Sequence, residues 1–179
     1  MEKLLRGTEK LIPKKVYKFF QPAYHFLLAA TGTIIYRKPS RHIYVIGITG
    51  TKGKSSTTEF VNAVLEGAGK KTAILSTIRF KIGDKARPNK FKMTMPGRFF
   101  TQKFLRDAVD AGCEYAIIEM TSEGARFYRH LGIEMDALIF TNLSPEHIES
   151  HGSFKKYKEA KLRLVRRLAN SKKPVRLSI

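Results

Sequence analysis

From residue 42 onward the chain alternates short apolar runs with longer stretches of helical periodicity. Residues 42–48 (HIYVIGI) are an apolar run of strand length, followed by a Gly/Thr-rich loop and a helix expected to reach about residue 67. Residues 72–77 (TAILST) predict the next short strand. Residues 81–92, with Gly83, Asp84 and Pro88, read as an exposed basic loop. A helix over 97–111 carries Phe99, Phe100, Phe104, Leu105 and Val109 on one side. Residues 115–120 (YAIIEM) and 136–140 (DALIF) predict two further buried strands, the first followed by a helical turn to about 131. Ser144 or Ser153 can cap a last helix running through 168, and 174–179 (PVRLSI) opens another strand. Short apolar strands separated by helices predict an α/β fold, a parallel sheet with helices on both faces.

The first 41 residues follow a different pattern. Residues 1–18 are basic, with Leu4, Leu5, Leu11, Ile12, Val16 and Tyr17 at roughly helical spacing. After Pro22, residues 23–36 are apolar apart from His25, Thr31, Gly32 and Thr33. Nine basic residues in this segment oppose Glu2 and Glu9, a net +7. A helix over that apolar run reaches about 21 Å, short of a bilayer core of about 30 Å. No small-residue cleavage site follows it, which argues against a signal peptide. The segment therefore reads either as a helix lying at a membrane surface or as one packed on the domain or a partner. Two units are expected, a helical segment over 1–41 and an α/β domain over 42–179.

Composition narrows the function. With 42% hydrophobic and 27% charged residues, the 179-residue chain is globular. Its 34 Lys and Arg against 15 Asp and Glu give a net charge of +19, a field that draws anions. Those cations are spread along the chain and no base-reading motif appears, so specific nucleic-acid binding is not expected. Cys113 stands alone, which excludes a disulfide framework and a cysteine metal site and suits a structural thiol in a reducing cytoplasm.

The chemistry centres on residues 47–56, GITGTKGKSS, which follow a strand and open a helix. That context suits a phosphate loop: glycines at 47, 50 and 53 let backbone N–H groups approach phosphates, Lys54 supplies charge, and Ser55 offers a hydroxyl to Mg²⁺. The general pattern G-x-x-x-x-G-K-[ST] fails at one place, where Ile48 stands for the first glycine. His147 and His151 are four apart, but Glu does not directly follow the first, so zinc proteolysis is not indicated. His25 and His130 are expected to have no chemical role.

The segment TGTKGKSS resembles the phosphate loop of the Mur ligase family, T-G-T-x-G-K-[ST]. Three further blocks occur in that family's order: MTMPG over 93–97, EMTSEGARFYR over 119–129, and FTNLSPEHIESHGSFKKYKEAKLRL over 140–164. The likeness covers about 120 residues and is greatest to the family's UDP-N-acetylmuramyl-tripeptide synthetases. It implies the family's P-loop central domain, with ATP held by Gly50, Thr51, Lys52, Gly53, Lys54, Ser55 and Ser56. It also implies Lys54, Glu119, His147 and Lys161 as catalytic groups, with Mg²⁺ held by Ser55, Glu119, His147 and a carbamylated Lys161. Thr94, Ser122 and Arg129 match positions that contact a UDP-muramyl substrate. Lys52, Met95, Glu123 and Glu146 depart from the family pattern; Met95 and Glu123 bear on which muramyl substrate is taken.

The implied reaction is ATP-driven ligation of a carboxylate to an amino acid through an acyl phosphate, in cytoplasmic cell-wall precursor synthesis. Too few residues precede the loop for the family's UDP-binding N-terminal domain, and its C-terminal domain is not expected within this chain. The chain alone is therefore expected to bind ATP and to ligate poorly or not at all. The competing readings are a folylpolyglutamate- or cyanophycin-type ligase, a non-catalytic ATP-binding module held at the inner face of a membrane by residues 1–41, and a basic nucleic-acid-binding protein.

Overall fold

Alternation along the strands divides their side chains between two cores. Along β1 (Tyr44–Thr49), Val45 faces one core while Ile46 and Ile48 face the other. The computed structural model describes residues 14–91, 93–146, 148–174 and 177–178. Its other strands are β2 (Thr72–Leu75), β3 (Arg79–Ile82), β4 (Lys85–Pro88), β5 (Tyr115–Glu119), β6 (Ala137–Phe140) and β7 (Leu177–Ser178). All seven form one sheet in the order β4-β3-β2-β5-β1-β6-β7. The five strands from β2 to β7 in that order pair in parallel, as the sequence predicts.

The remaining two strands correct the sequence reading. Residues 81–92 are not simply an exposed loop: β3 and β4 form an antiparallel hairpin that extends the sheet beyond β2. Its two-residue turn places Gly83 at φ +54, a value that favours glycine. Phe80 anchors the hairpin, its ring 5.1 Å from Phe100 and 6.4 Å from Phe104. Lys81 is buried on the opposite face, donating to Glu66 at 2.5 Å and to Thr72 Oγ1 at 3.0 Å. The basic composition conceals this strand because one of its cations is neutralised inside the protein. β4 is the exposed edge, where Lys85, Arg87 and Pro88 discourage further pairing.

Helix α1 (Lys14–Ile35) precedes the sheet and runs through Pro22. It packs on α3 (Arg98–Asp110) through Ala29 and Gly32; a Cβ on Gly32 would touch Phe99 at 3.5 Å. Residues 1–13 of the N-terminal segment lie outside the described residues. Among the described residues no helix is long and apolar enough to cross a membrane.

Helix α2 (Lys54–Gly67) covers one face of the sheet, with Val61 and Leu65 against Ile46, Ile74 and Ile117. The other face is covered by α3, α4 (Ser122–Arg126) and α6 (Phe154–Ala169). The short α5 (Ile148–His151) lies between the last two. Ser153, rather than Ser144, caps α6, its Oγ accepting from Lys156 N at 3.2 Å. Beneath β6, Asp136 Oδ2 accepts from Val45 N at 2.6 Å and from half-buried Lys173 at 2.5 Å, which fixes the strand beside β1.

Gly47 belongs to this packing rather than to the phosphate loop. It pairs with Ile118 and Leu138 inside the sheet, and a Cβ there would lie 2.8 Å from Met135 Sδ and 3.0 Å from Leu138 Cδ1. Met135 and Leu138 are fully buried and have little room to yield. Gly47→Ala should therefore cost about 1–3 kcal/mol of stability by overpacking, read from urea unfolding. A variant as stable as the parent would contradict this packing.

Candidate functional site

The parallel strands bring their C-terminal ends to one edge, where the loops carrying the expected residues emerge. After β1 the chain turns through residues 50–53 and opens α2 at Lys54. Ile48, at the place of the missing motif glycine, is buried in β1 opposite Glu119 and Ile139. The strand thus runs further before the loop begins. Gly50 has φ +151, and a Cβ there would overlap Thr141 Oγ1. Gly53, at φ +80, is the N-cap of α2 and provides no side-chain cap to its first-turn N–H groups. A Cβ on Gly53 would meet nothing within 4 Å. An uncapped helix N-terminus behind a glycine loop suits a phosphate chain.

Three sets of contacts meet here. Lys54 Nζ donates to Gly50 O at 3.0 Å and Thr51 O at 2.8 Å, and Lys161 Nζ donates to the same Gly50 carbonyl at 2.6 Å. Lys161, on α6, is 1% exposed and lies 4.9 Å from the centre of the Tyr157 ring. Burial, with the Lys54 charge adding to it, holds the Lys161 amine down at about 8.

The second set surrounds Glu119, at the end of β5 and 2% exposed. Its Oε2 accepts from Ser55 Oγ at 3.1 Å and from Thr77 N at 2.8 Å, and Thr77 Oγ1 lies 2.8 Å from Thr94 Oγ1. In the third set, Ser122 Oγ lies 3.1 Å from His151 Nε2, whose ring meets Tyr157 edge-on at 5.4 Å. Tyr157 OH returns to the loop at Thr51 Oγ1, 2.9 Å away.

The structure thus gathers Gly50, Thr51, Lys54, Ser55, Thr94, Glu119, Ser122 and Lys161. Lys52 and Ser56 are exposed at the rim. Arg129 uses one Nη1 contact to hold the 93–97 loop, donating to Met95 O at 2.7 Å. Met95 is itself fully buried, and a Cβ on Gly124 would lie 2.7 Å from its sulfur, so this departure from the family pattern is a packing residue. Glu123 is exposed in the first turn of α4. His147 lies outside the described residues.

Sequence reasoning missed several participants. Asn142 Oδ1 accepts from the N–H groups of Thr51 and Lys52 at 3.1 and 3.0 Å, and Thr141 Oγ1 donates to Lys52 O at 2.7 Å. Thr77, Tyr157 and His151 complete the set. Thr141, Asn142 and Tyr157 stand inside the FTN and Y-x-x-A-K segments quoted above, which was the available signal. Thr77 carried none beyond its place at a strand end.

Ser55 Oγ and Glu119 Oε2 offer two hard oxygens beside the loop, a donor set that suits Mg²⁺ completed by phosphate and water. Among the described residues, no three His, Cys, Asp or Glu side chains cluster as a metal site. Mg²⁺ on a phosphate chain does not require such a cluster.

The sequence pattern of the Mur ligase middle domain matches residues 48–176. The chain belongs to the Mur ligase family. It is 38% identical over 144 residues to the UDP-N-acetylmuramyl-tripeptide synthetase of Roseiflexus sp. (strain RS-1), which covers 79% of this chain and 28% of that protein. It is 35% identical over 155 residues to the synthetase of the same description from Treponema pallidum (strain Nichols), covering 86% of this chain and 29% of the relative. The chain therefore spans under a third of the length of these curated relatives.

Among solved structures, Mycobacterium tuberculosis folylpolyglutamate synthase complexed with ADP superposes with a TM-score of 0.65 at 14% identity, over 86% of this chain and 40% of that one. A UDP-N-acetylmuramoyl-L-alanyl-D-glutamate--2,6-diaminopimelate ligase superposes with a TM-score of 0.62 at 22% identity, over 76% of this chain and 31% of that one. At these identities the likeness is one of fold, and it confirms the expected α/β architecture.

In this Mur ligase domain, the Lys161 amine should lose its proton through a pH of about 8, followed by NMR of ¹³Cε-labelled lysine. Lys54→Met removes a like charge and should move that midpoint upward. A Lys161 midpoint insensitive to Lys54 would contradict the shared-carbonyl geometry.

Proposed function

We propose that this chain supplies the Mg²⁺–ATP site of an ATP-dependent carboxylate–amine ligase that acts on a UDP-muramyl peptide in peptidoglycan precursor synthesis. The observation that carries the reading is the convergence of Lys54, Lys161 and Thr51 with the Ser55–Glu119 pair at one sheet edge. The printed descriptions of the relatives support the substrate class.

In this reading the loop amides and Lys54 hold the phosphates of ATP. A carboxylate of the muramyl peptide attacks the γ-phosphorus, ADP leaves, and an acyl phosphate forms. The amine of an amino acid then displaces phosphate to give the amide. Little covalent work falls to the protein; positioning and positive charge carry the rate. Ser55 and Glu119, with His147 as the family match implies, would hold Mg²⁺, which offsets phosphate charge when bound. Thr94, Ser122 and Arg129 would face the muramyl substrate. Amine delivery is assigned to parts of the relatives that this chain does not span. The reaction is placed in the cytoplasm, with residues 1–41 holding the chain at the inner face of a membrane.

Lys161 is proposed to be carbamylated. CO₂ adds to a neutral amine, and a proton is released as the N–C bond forms. An amine held at about 8 is neutral far more often at physiological pH than an ordinary lysine. The carbamate nitrogen keeps one hydrogen, which can still donate to Gly50 O. A ¹³C-carbamate resonance should appear on adding labelled bicarbonate, grow as pH rises through about 8, and be absent from Lys161→Met.

Titration calorimetry tests the main reading. Lys54→Ala should weaken Mg²⁺–ATP binding by at least about tenfold, the scale of a lost charge-assisted hydrogen bond. UDP-muramyl dipeptide should bind the parent chain while dihydrofolate does not. The opposite preference would assign the domain to folylpolyglutamate-type chemistry, whose fold it shares.

A further inference from the structure

From Phe19 on, the sequence of helix α1 is apolar all round, and among the described residues only one side is covered. From Phe19 to Ile35 the sequence holds no Asp, Glu, Lys or Arg. A helix without a polar face belongs in an interior or against lipid. Its inner side meets that demand through Ala29 and Gly32 on α3, and through Thr33, which lies where a Cβ on Gly132 would fall.

The outer side does not. Phe26, Leu27, Ile34 and Ile35 are 58%, 64%, 68% and 55% exposed. The two threonine hydroxyls of this stretch make no demand on water: Thr31 Oγ1 donates to Leu27 O at 2.5 Å and Thr33 Oγ1 to Ala29 O at 2.7 Å. The outer face can therefore leave water with little polar cost. Large apolar side chains in such a group mark an interaction surface.

Charge selects the occupant. Arg37 and Lys38 follow the helix directly and Arg41 lies just beyond; all three are exposed. Among the described residues Arg37 and Lys38 enter none of the ion pairs. The whole chain carries +19, so a second copy of itself would be repelled. A surface that is apolar in depth and anionic at its rim matches both halves of the patch. Among the described residues no helix is long and apolar enough to cross a membrane, but an interfacial helix needs only one apolar face. Here α3 and the domain behind it take the place of the polar face such helices usually carry.

We infer that the outer face of α1 docks on an anionic lipid surface, with Phe26, Leu27, Ile34 and Ile35 entering the acyl boundary and Arg37, Lys38 and Arg41 on lipid phosphates. This inference rests on the proposed membrane contact of residues 1–41 and specifies its face and its lipid. It is independent of the ATP site.

The test is flotation of the full chain with phosphatidylcholine vesicles, with and without phosphatidylglycerol. The parent should float with the anionic vesicles and bind neutral ones at least tenfold more weakly. Arg37→Gln with Lys38→Gln should lower anionic binding by about five-fold per cation removed. Leu27→Asp with Ile34→Asp should abolish it. Mg²⁺–ATP affinity and thermal unfolding, measured on each variant, should stay as in the parent, which separates lost docking from lost folding or a failed nucleotide site. Equal binding to neutral vesicles would overturn the anionic preference. Undiminished binding by the Asp variant would overturn the face. A dimer that the Asp variant dissociates, in a chain that floats with no vesicle, would give the face to a second copy and overturn the inference.

Discussion

The carbonyl of Gly50 accepts hydrogen bonds from two lysines, and much of the site is arranged around that contact. Lys54 reaches it from the first turn of α2 and Lys161 from the middle of α6, so two helices on opposite faces of the sheet meet at one backbone oxygen. Two ammonium groups so close repel one another, and burial adds to the cost of the inner one. Burial and the Lys54 charge together hold the Lys161 amine down at about 8, below the usual lysine range. The geometry also demands that the loop come close to the end of β6. Only a residue without a Cβ can sit against Thr141 at position 50, and Asn142 then ties the next two amides in place.

Strand order explains why these groups meet. β1 lies between β5 and β6, so the loop after β1 has Glu119 on one side and Thr141–Asn142 on the other. β2 lies just beyond β5, which delivers Thr77 to Glu119. Ser55 and Thr77, each more than forty positions from Glu119 in the chain, thus share its buried carboxylate. α6 adds Tyr157 and Lys161 one turn apart, the first on Thr51 and the second on Gly50.

Much of this was legible in the sequence, for physical reasons that can be named. The central parallel strands β1, β2 and β5 were visible because they are buried on both faces and read as apolar runs. Lys54, Ser55, Glu119 and Lys161 were legible through ordered motifs, and the structure brings all four to one edge. The hairpin was hidden because a strand with one buried lysine and an exposed basic partner looks like a solvated loop. Helix α1 continues through Pro22, since a helix held by tertiary contacts can lose one backbone hydrogen bond and go on. Gly47 was misassigned because spacing alone does not separate a glycine needed for phosphate approach from one needed under Met135. Thr77 and His151 act through neighbours distant in sequence, and no local pattern announces such contacts; Asn142 lay inside the quoted FTN segment without being singled out.

The proposed ATP site depends on Ser55 and Glu119 holding the metal that accompanies the nucleotide. ATP affinity measured with and without Mg²⁺, for the parent and for Glu119→Gln, tests it most directly. Mg²⁺ should strengthen binding to the parent, and Glu119→Gln should lose most of this gain while still binding ATP through the loop. Equal strengthening by Mg²⁺ in both proteins, or none in the parent, would contradict it.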